Sequence, residues 1–109
     1  MDNVGERTID FELKQLQHAF KHAADFGVNG HYNCRTLRAC KLALVRHVRS
    51  DRTEVRAGWF RHKPVTHFVD TDTRLNVIRD AQGGFLSGWR LSSRQMAHVV
   101  STGRLGGGK

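Results

Sequence analysis

The hydrophobic period of this chain changes from helical to alternating between Val48 and Thr53, and that change restricts the fold more than any other feature. Before it, apolar residues recur at the three-and-four spacing of an amphipathic helix; after it they alternate with polar ones, as in a half-buried strand. Leu13, Leu16, Phe20 and Ala24 make the first apolar stripe, with Asp10 placed to cap the helix and Gly27 to end it in a left-handed turn. Val28 to Asn33 is a polar linker. From Thr36 a second helix turns Leu37, Cys40, Leu44 and Val48 inward and spreads Arg38, Arg46 and Arg49 over its other side, stopping at Ser50 and Asp51. The alternating region predicts four strands, about Glu54 to Arg61, Val65 to Asp70, Leu75 to Asp80 and Phe85 to Trp89. Turns are expected at Lys63-Pro64, Asp70-Thr71-Asp72-Thr73 and Ala81-Gln82-Gly83-Gly84, so the strands should form an antiparallel meander. Ser92 and Gln95 form a capping box that opens a short helix with Met96, Val99 and Val100 apolar and Gly103 near its end. The expected fold is α+β: two N-terminal helices, a four-stranded antiparallel sheet and a short C-terminal helix, the helices packed on the sheet.

At 109 residues the chain should be one domain, with residues 1–9 and 104–109 as flexible ends, the latter including Gly106-Gly107-Gly108-Lys109. Its charge says most about partners. Eighteen Lys and Arg against 10 Asp and Glu give a net +8, to which seven His add in mild acid. Such a field attracts a polyanion, and nucleic acid is the commonest one for a small basic domain. A membrane surface would need a basic amphipathic helix with a wide apolar face, and a merely solvated basic surface is the bland alternative. Cys34 and Cys40 are too few to build a zinc site from thiols, and Cys40 falls on the buried face of the second helix. No apolar run reaches membrane-spanning length, and Met1 to Asp10 is polar and acidic rather than signal-like.

His18 and His22, four apart on the first helix, invite a metal reading. Ala19 stands where the zincin pattern needs Glu, and no carboxylate-rich segment offers a third ligand, so neither metal nor cofactor is expected. Metal-free RNA cleavage asks instead for a base at the 2′-hydroxyl, an acid for the leaving oxygen, and cations on the phosphorane. Lys21 beside His22 sets a permanent positive charge next to a group that titrates near neutrality, favouring its neutral, base-competent form. His67 is a second candidate for proton transfer, although alternation puts it on one face with Val65 and Val69, where it can equally line a semi-buried sheet.

Phe20-Lys21-His22-Ala23-Ala24-Asp25-Phe26-Gly27 resembles the catalytic helix of the colicin D family, and Asn76-Val77-Ile78-Arg79-Asp80 with Gly84-Phe85-Leu86-Ser87-Gly88-Trp89 resembles that family's last two strands. The likeness runs from Phe11 to the last helix. It implies a metal-independent ribonuclease toxin that cuts tRNA in the anticodon loop, leaves a cyclic phosphate and is neutralised by an immunity protein, expected to be acidic. It also implies delivery from the cell surface or by secretion, as part of a larger toxin such as a contact-dependent inhibition protein, with action in the target cytoplasm. By the same resemblance His22 is the general acid/base, Lys21 the phosphate-stabilising cation, Ser87 a hydroxyl near the scissile phosphate and Trp89 an aromatic wall. Lys14, His18, His67 and Arg38 are candidate substrate-binding groups. The family pattern has a further Lys three residues before the His, where this chain has Ala19: either Lys14, His18 or another basic group replaces it, or the chain is a disabled variant. Two other readings stay open, a non-catalytic basic RNA-binding module and an interaction domain for an acidic protein.

Overall fold

The computed structural model describes residues 7–106. Helix α1 spans Leu13–Ala19 and runs directly into a 3-10 helix, Phe20–Phe26; helix α2 spans Cys34–Arg49. Five strands follow in a single curled sheet: β1 (Glu54–Phe60), β2 (Lys63–Val69), β3 (Leu75–Asp80), β4 (Phe85–Arg90) and, after helix α3 (Ser93–Thr102), the two-residue β5 (Arg104–Leu105). Their spatial order is β4-β3-β2-β1-β5. The first four make the expected antiparallel meander; β5 joins parallel to β1, with Trp59 opposite Arg104 and Phe60 opposite Leu105.

Alternation along the strands divides the core between the two faces. Phe68, Val77 and Phe85 pack with Leu16, Ala19, Ala23, Cys40, Leu44 and Val48, so α1, the 3-10 helix and α2 cover one face. Val65, Val69 and Ile78 pack with Leu91, Val99 and Leu105, so α3 and β5 cover the other. The α2 stripe is as expected, with Asn33 as its N-cap, and both cysteines are free, Cys40 buried. The Ser92–Gln95 capping box forms, and Gly103 ends α3 with φ 75°. Among the described residues no helix is long and apolar enough to cross a membrane.

Several expectations need correction. Asp10 does not cap α1: Glu12 holds that position without a side-chain bond, while Asp10 is drawn into a bridge with Gly84, its N–H donating to Gly83 O and its carbonyl accepting from Phe85 N. The first stripe also shifts phase. In a 3-10 helix residues three apart eclipse, so Phe20, Ala23 and Phe26 line the core side, Ala24 turns outward, and Leu13 is left exposed. Lys63-Pro64 lies inside β2, Pro64 opposite Trp59, and the hairpin turns instead on Arg61 and His62, with φ 51° and 72°. Both central residues are left-handed, as a tight hairpin of this twist requires, and the absence of glycine there hides the turn.

The expected flexible ends are partly structured. The Arg7 guanidinium donates to the carbonyls of Val48, Ser50 and Thr53, satisfying groups that the end of α2 leaves open, and the Arg79 side chain donates to Thr8 O at 2.6 Å. Arg104 and Leu105 are strand rather than tail, too short a strand for any periodic signal. Residues 1–6 and 107–109 lie outside the described residues.

Candidate active site

Strand β4 is an edge of the sheet, and the 3-10 helix closes over it. Asp25 accepts the Arg90 backbone N–H at 2.9 Å, an edge donor that would otherwise be unpaired, and its carboxylate lies 4.0 Å from the Arg90 guanidinium. Because 22 and 25 are one 3-10 turn apart, the anchoring of Asp25 brings His22 to the same strand, where its ring lies 6.0 Å from that of Trp89 and tilted by 36°. Ser87 and Trp89 share a face of β4 by alternation.

These residues open onto a cleft of about 290 Å³ lined by Lys21, His22, Phe60, Arg61, Ser87, Trp89, Gln95 and Gly106. All four residues proposed for chemistry from the sequence therefore meet in one place, drawn from blocks far apart in the chain. Among the described residues no carboxylate lines the cleft. Partial burial first, and the Lys21 ammonium second, push the His22 pKa below its ordinary value, with Asp25 pulling partly back. The imidazole is thereby held neutral and proton-accepting near neutrality. An imidazolium formed there would have its ring centre 6.0 Å from that of Trp89, the outer reach of a cation–π contact.

The remaining candidates fall elsewhere. Lys14, His18 and Arg38 are exposed on α1 and α2 and none lines the cleft. His67 is wholly buried: its Nε2 donates to Gly103 O at 2.8 Å, which leaves Nδ1 to accept from the Asn76 amide at 3.1 Å. Burial, opposed by carbonyl contacts from Gly103 and Trp59, lowers its pKa. That ring ties α3 to the sheet, since Gly103 O also accepts the Trp59 N–H at 2.8 Å. Ala19 is 4% exposed, within the core on the helical side. Among the described residues no three His, Cys, Asp or Glu side chains gather as a metal site.

Four lining residues escaped the sequence reading. Gln95 was visible only as a helix cap; its Oε1 accepts from Ser92 N and from Trp89 Nε1, so it also orients the Trp89 indole. Phe60 sits 6.1 Å from Trp89, ring to ring, and the Arg61 guanidinium stacks over Phe60 at 5.0 Å. Gly106 is brought in by β5, and a Cβ there would press on Phe60 and the Arg61 stem at 3.2 Å. An aromatic pair followed by Arg-His was the one signal available for the hairpin tip.

The sequence model of the colicin D family matches residues 15–99, a span that includes every lining residue except Gly106. The chain belongs to the colicin D family. It is 34% identical over 84 residues to Colicin-D of Escherichia coli, an alignment that takes in 75% of this chain and 12% of that much longer protein. Its fold is similar to that of a ribonuclease from Escherichia coli solved in complex with its inhibitor protein, with a TM-score of 0.76 and 30% identity, covering 84% of this chain and all of that one.

Proposed function

We propose that this colicin D family domain is a metal-independent endoribonuclease that cuts tRNA in the anticodon loop. The observation that carries the reading is the meeting of His22, Lys21, Ser87 and Trp89 in one cleft. In this reading His22, kept neutral, takes the proton of a ribose 2′-hydroxyl. The 2′ oxygen bonds to phosphorus and the bond to the 5′ oxygen breaks, leaving a 2′,3′-cyclic phosphate. The departing oxygen takes up a proton that the new imidazolium is able to return. Lys21 faces the charge that develops on the phosphorane, the Ser87 hydroxyl donates to a phosphate oxygen, and Trp89 supports an unstacked base. The domain would act in the cytoplasm of a target bacterium after delivery within a larger toxin, and an acidic immunity protein would neutralise it by covering this basic cleft.

The test is incubation with total tRNA in EDTA, mapping of new ends, and the same assay on His22→Ala. Cyclic-phosphate ends inside anticodon loops, lost in His22→Ala with an unchanged melting curve, support the reading. RNA binding without cleavage would reduce the domain to a binding module. An affinity for acidic protein but none for RNA would make it an interaction domain.

A further inference from the structure

Helix α2 contains no Asp or Glu, and its outer face is a row of arginines. At about 100° per residue, Arg35, Arg38, Leu42, Arg46 and Arg49 fall within about 80° of one another, on the side away from the buried Cys40, Leu44 and Val48. All five are exposed, Leu42 to 55%. The arginines form two pairs of equal spacing, Arg35 with Arg38 and Arg46 with Arg49. The second pair repeats the first about 11 residues on, which is about three turns and about 16 Å along the axis, so both point the same way.

Among the described residues none of these four arginines takes part in an ion pair or a side-chain hydrogen bond. Every other arginine among them except Arg94 is held by a carboxylate, a carbonyl, a hydroxyl or an aromatic ring. Like charges three apart on a helix repel, so the row invites a polyanion. Three observations select which one. The apolar stripe of α2 is spent on the core, and Leu42 alone is too little to enter a lipid surface. Protein interfaces are poor in charge at their centres, whereas nucleic-acid interfaces are strongly positive. Finally, the row carries no aromatic ring on which an unpaired base could stack, so what it can hold is a phosphate backbone.

We propose that the outer face of α2 docks a paired RNA stem. Each arginine pair grips phosphates on one rim of the wide, shallow minor groove of an A-form helix, and Leu42, between the pairs, faces the ribose-lined floor. The 3-10 helix that bears Lys21 and His22 packs on α2, with Phe26 edge-on to His47 at 5.6 Å, so the row and the cleft are held in one arrangement. This rests on the proposed function only in taking RNA as the partner; the docking face is defined by the phosphates of a stem and not by the bond that is cut.

The decisive experiment measures binding as a function of salt in the full chain carrying His22→Ala, so that cleavage plays no part, with total tRNA, a blunt RNA duplex and a single-stranded oligoribonucleotide as probes. Two double variants, Arg35→Gln with Arg38→Gln and Arg46→Gln with Arg49→Gln, are compared with Arg52→Gln plus Arg56→Gln, which removes as much charge from arginines paired with Asp72 and Glu54. Each double variant of the row should weaken tRNA and duplex binding about tenfold and flatten the salt slope by roughly 1.4 to 1.8, the signature of two lost phosphate contacts. Single-strand binding should follow the control. Lysine at the same positions should keep most of the slope, which separates lost charge from lost folding. With His22 intact, the row variants should raise KM for tRNA and leave kcat nearly unchanged. Row variants that bind tRNA and duplex as the control does would overturn the proposal, and an equal loss on the single strand would rule out a stem as the occupant. So would full RNA affinity beside a lost grip on an acidic inhibitor protein or on anionic phospholipid vesicles. Cleavage with unchanged KM in the row variants would remove the docking face and leave the nuclease reading; duplex binding that depends on the row in a chain that never cleaves would do the reverse.

Discussion

Replacing Ala19 with lysine sets stability against rate in a way the structure lets one work through. Position 19 leads into the 3-10 helix, where residues three apart eclipse, so 19, 22 and 25 share the side that lies on β4, with His22 against Trp89 and Asp25 against Arg90. A lysine at 19 starts from a position only 4% exposed, so its methylenes would be covered by packed core, and its ammonium would have to extend one 3-10 turn to reach the His22 edge of the cleft. Forcing that stem into packed core costs about 1–3 kcal/mol, which for a domain of this size lowers Tm by about 5–20 °C. A second preorganised cation at the phosphorane is worth on the order of a hundredfold in rate. Ala19→Lys should therefore melt lower and cut faster, and Ala19→Met, with a comparable stem and no charge, should melt lower without cutting faster. The assay is single-turnover tRNA cleavage below all three melting transitions, beside the melting curves. Equal rates for folded Ala19→Lys and the unaltered chain, or an equal gain from Met, would refute the reasoning and leave the work to another basic group.

Three further outcomes are expected. If neutral His22 is the base, cleavage falls as pH drops through its lowered pKa; Lys21→Gln removes a cation that lowers it, so in a pH–rate profile the acid limb should move to higher pH along with an overall loss of rate. Trp89→Phe should retain far more cleavage than Trp89→Ala if the ring face is what the site uses, and equal losses would point instead to its Nε1 bond with Gln95. Burial lowers the pKa of both His47 and His67, so stability should be level above the ordinary histidine pKa of about 6.5 and decline as pH falls below it, where the unfolded chain binds protons more readily. Urea midpoints at pH 8 and pH 5 check this, and His67→Gln should shrink the difference.

The helix and strand periods were open to reading because each reports a long run of side chains meeting one surface. What escaped was set by single contacts between distant segments. Arg7 is ordered by carbonyls at the end of α2 and beyond it, in Val48, Ser50 and Thr53, and nothing local to Arg7 announces them. The step from α to 3-10 at Phe20 left too few residues to show a new period, yet it decides that Ala23 rather than Ala24 is buried and that His22 and Asp25 point the same way. For the site, the Lys-His pair and the Ser-Gly-Trp strand were legible as motifs. Arg61 was not, because it reaches the cleft through a left-handed turn without glycine, a conformation that costs of order 1–3 kcal/mol per residue and persists only where surrounding structure holds it. Gly106 depends in turn on β5, and β5 on a close approach between Gly58 and Gly103. A Cβ on Gly58 would fall inside the Gly103 carbonyl oxygen, the same oxygen that accepts from Trp59 N and His67 Nε2. Gly58→Ala must therefore push α3 and β5 outward and weaken both bonds, at about 0.5–1.5 kcal/mol each, in addition to the steric cost. Since Gln95 and Gly106 move with those elements, that variant should lose tRNA affinity as well as stability. Full affinity in a destabilised Gly58→Ala would mean that the C-terminal wall of the cleft carries no RNA.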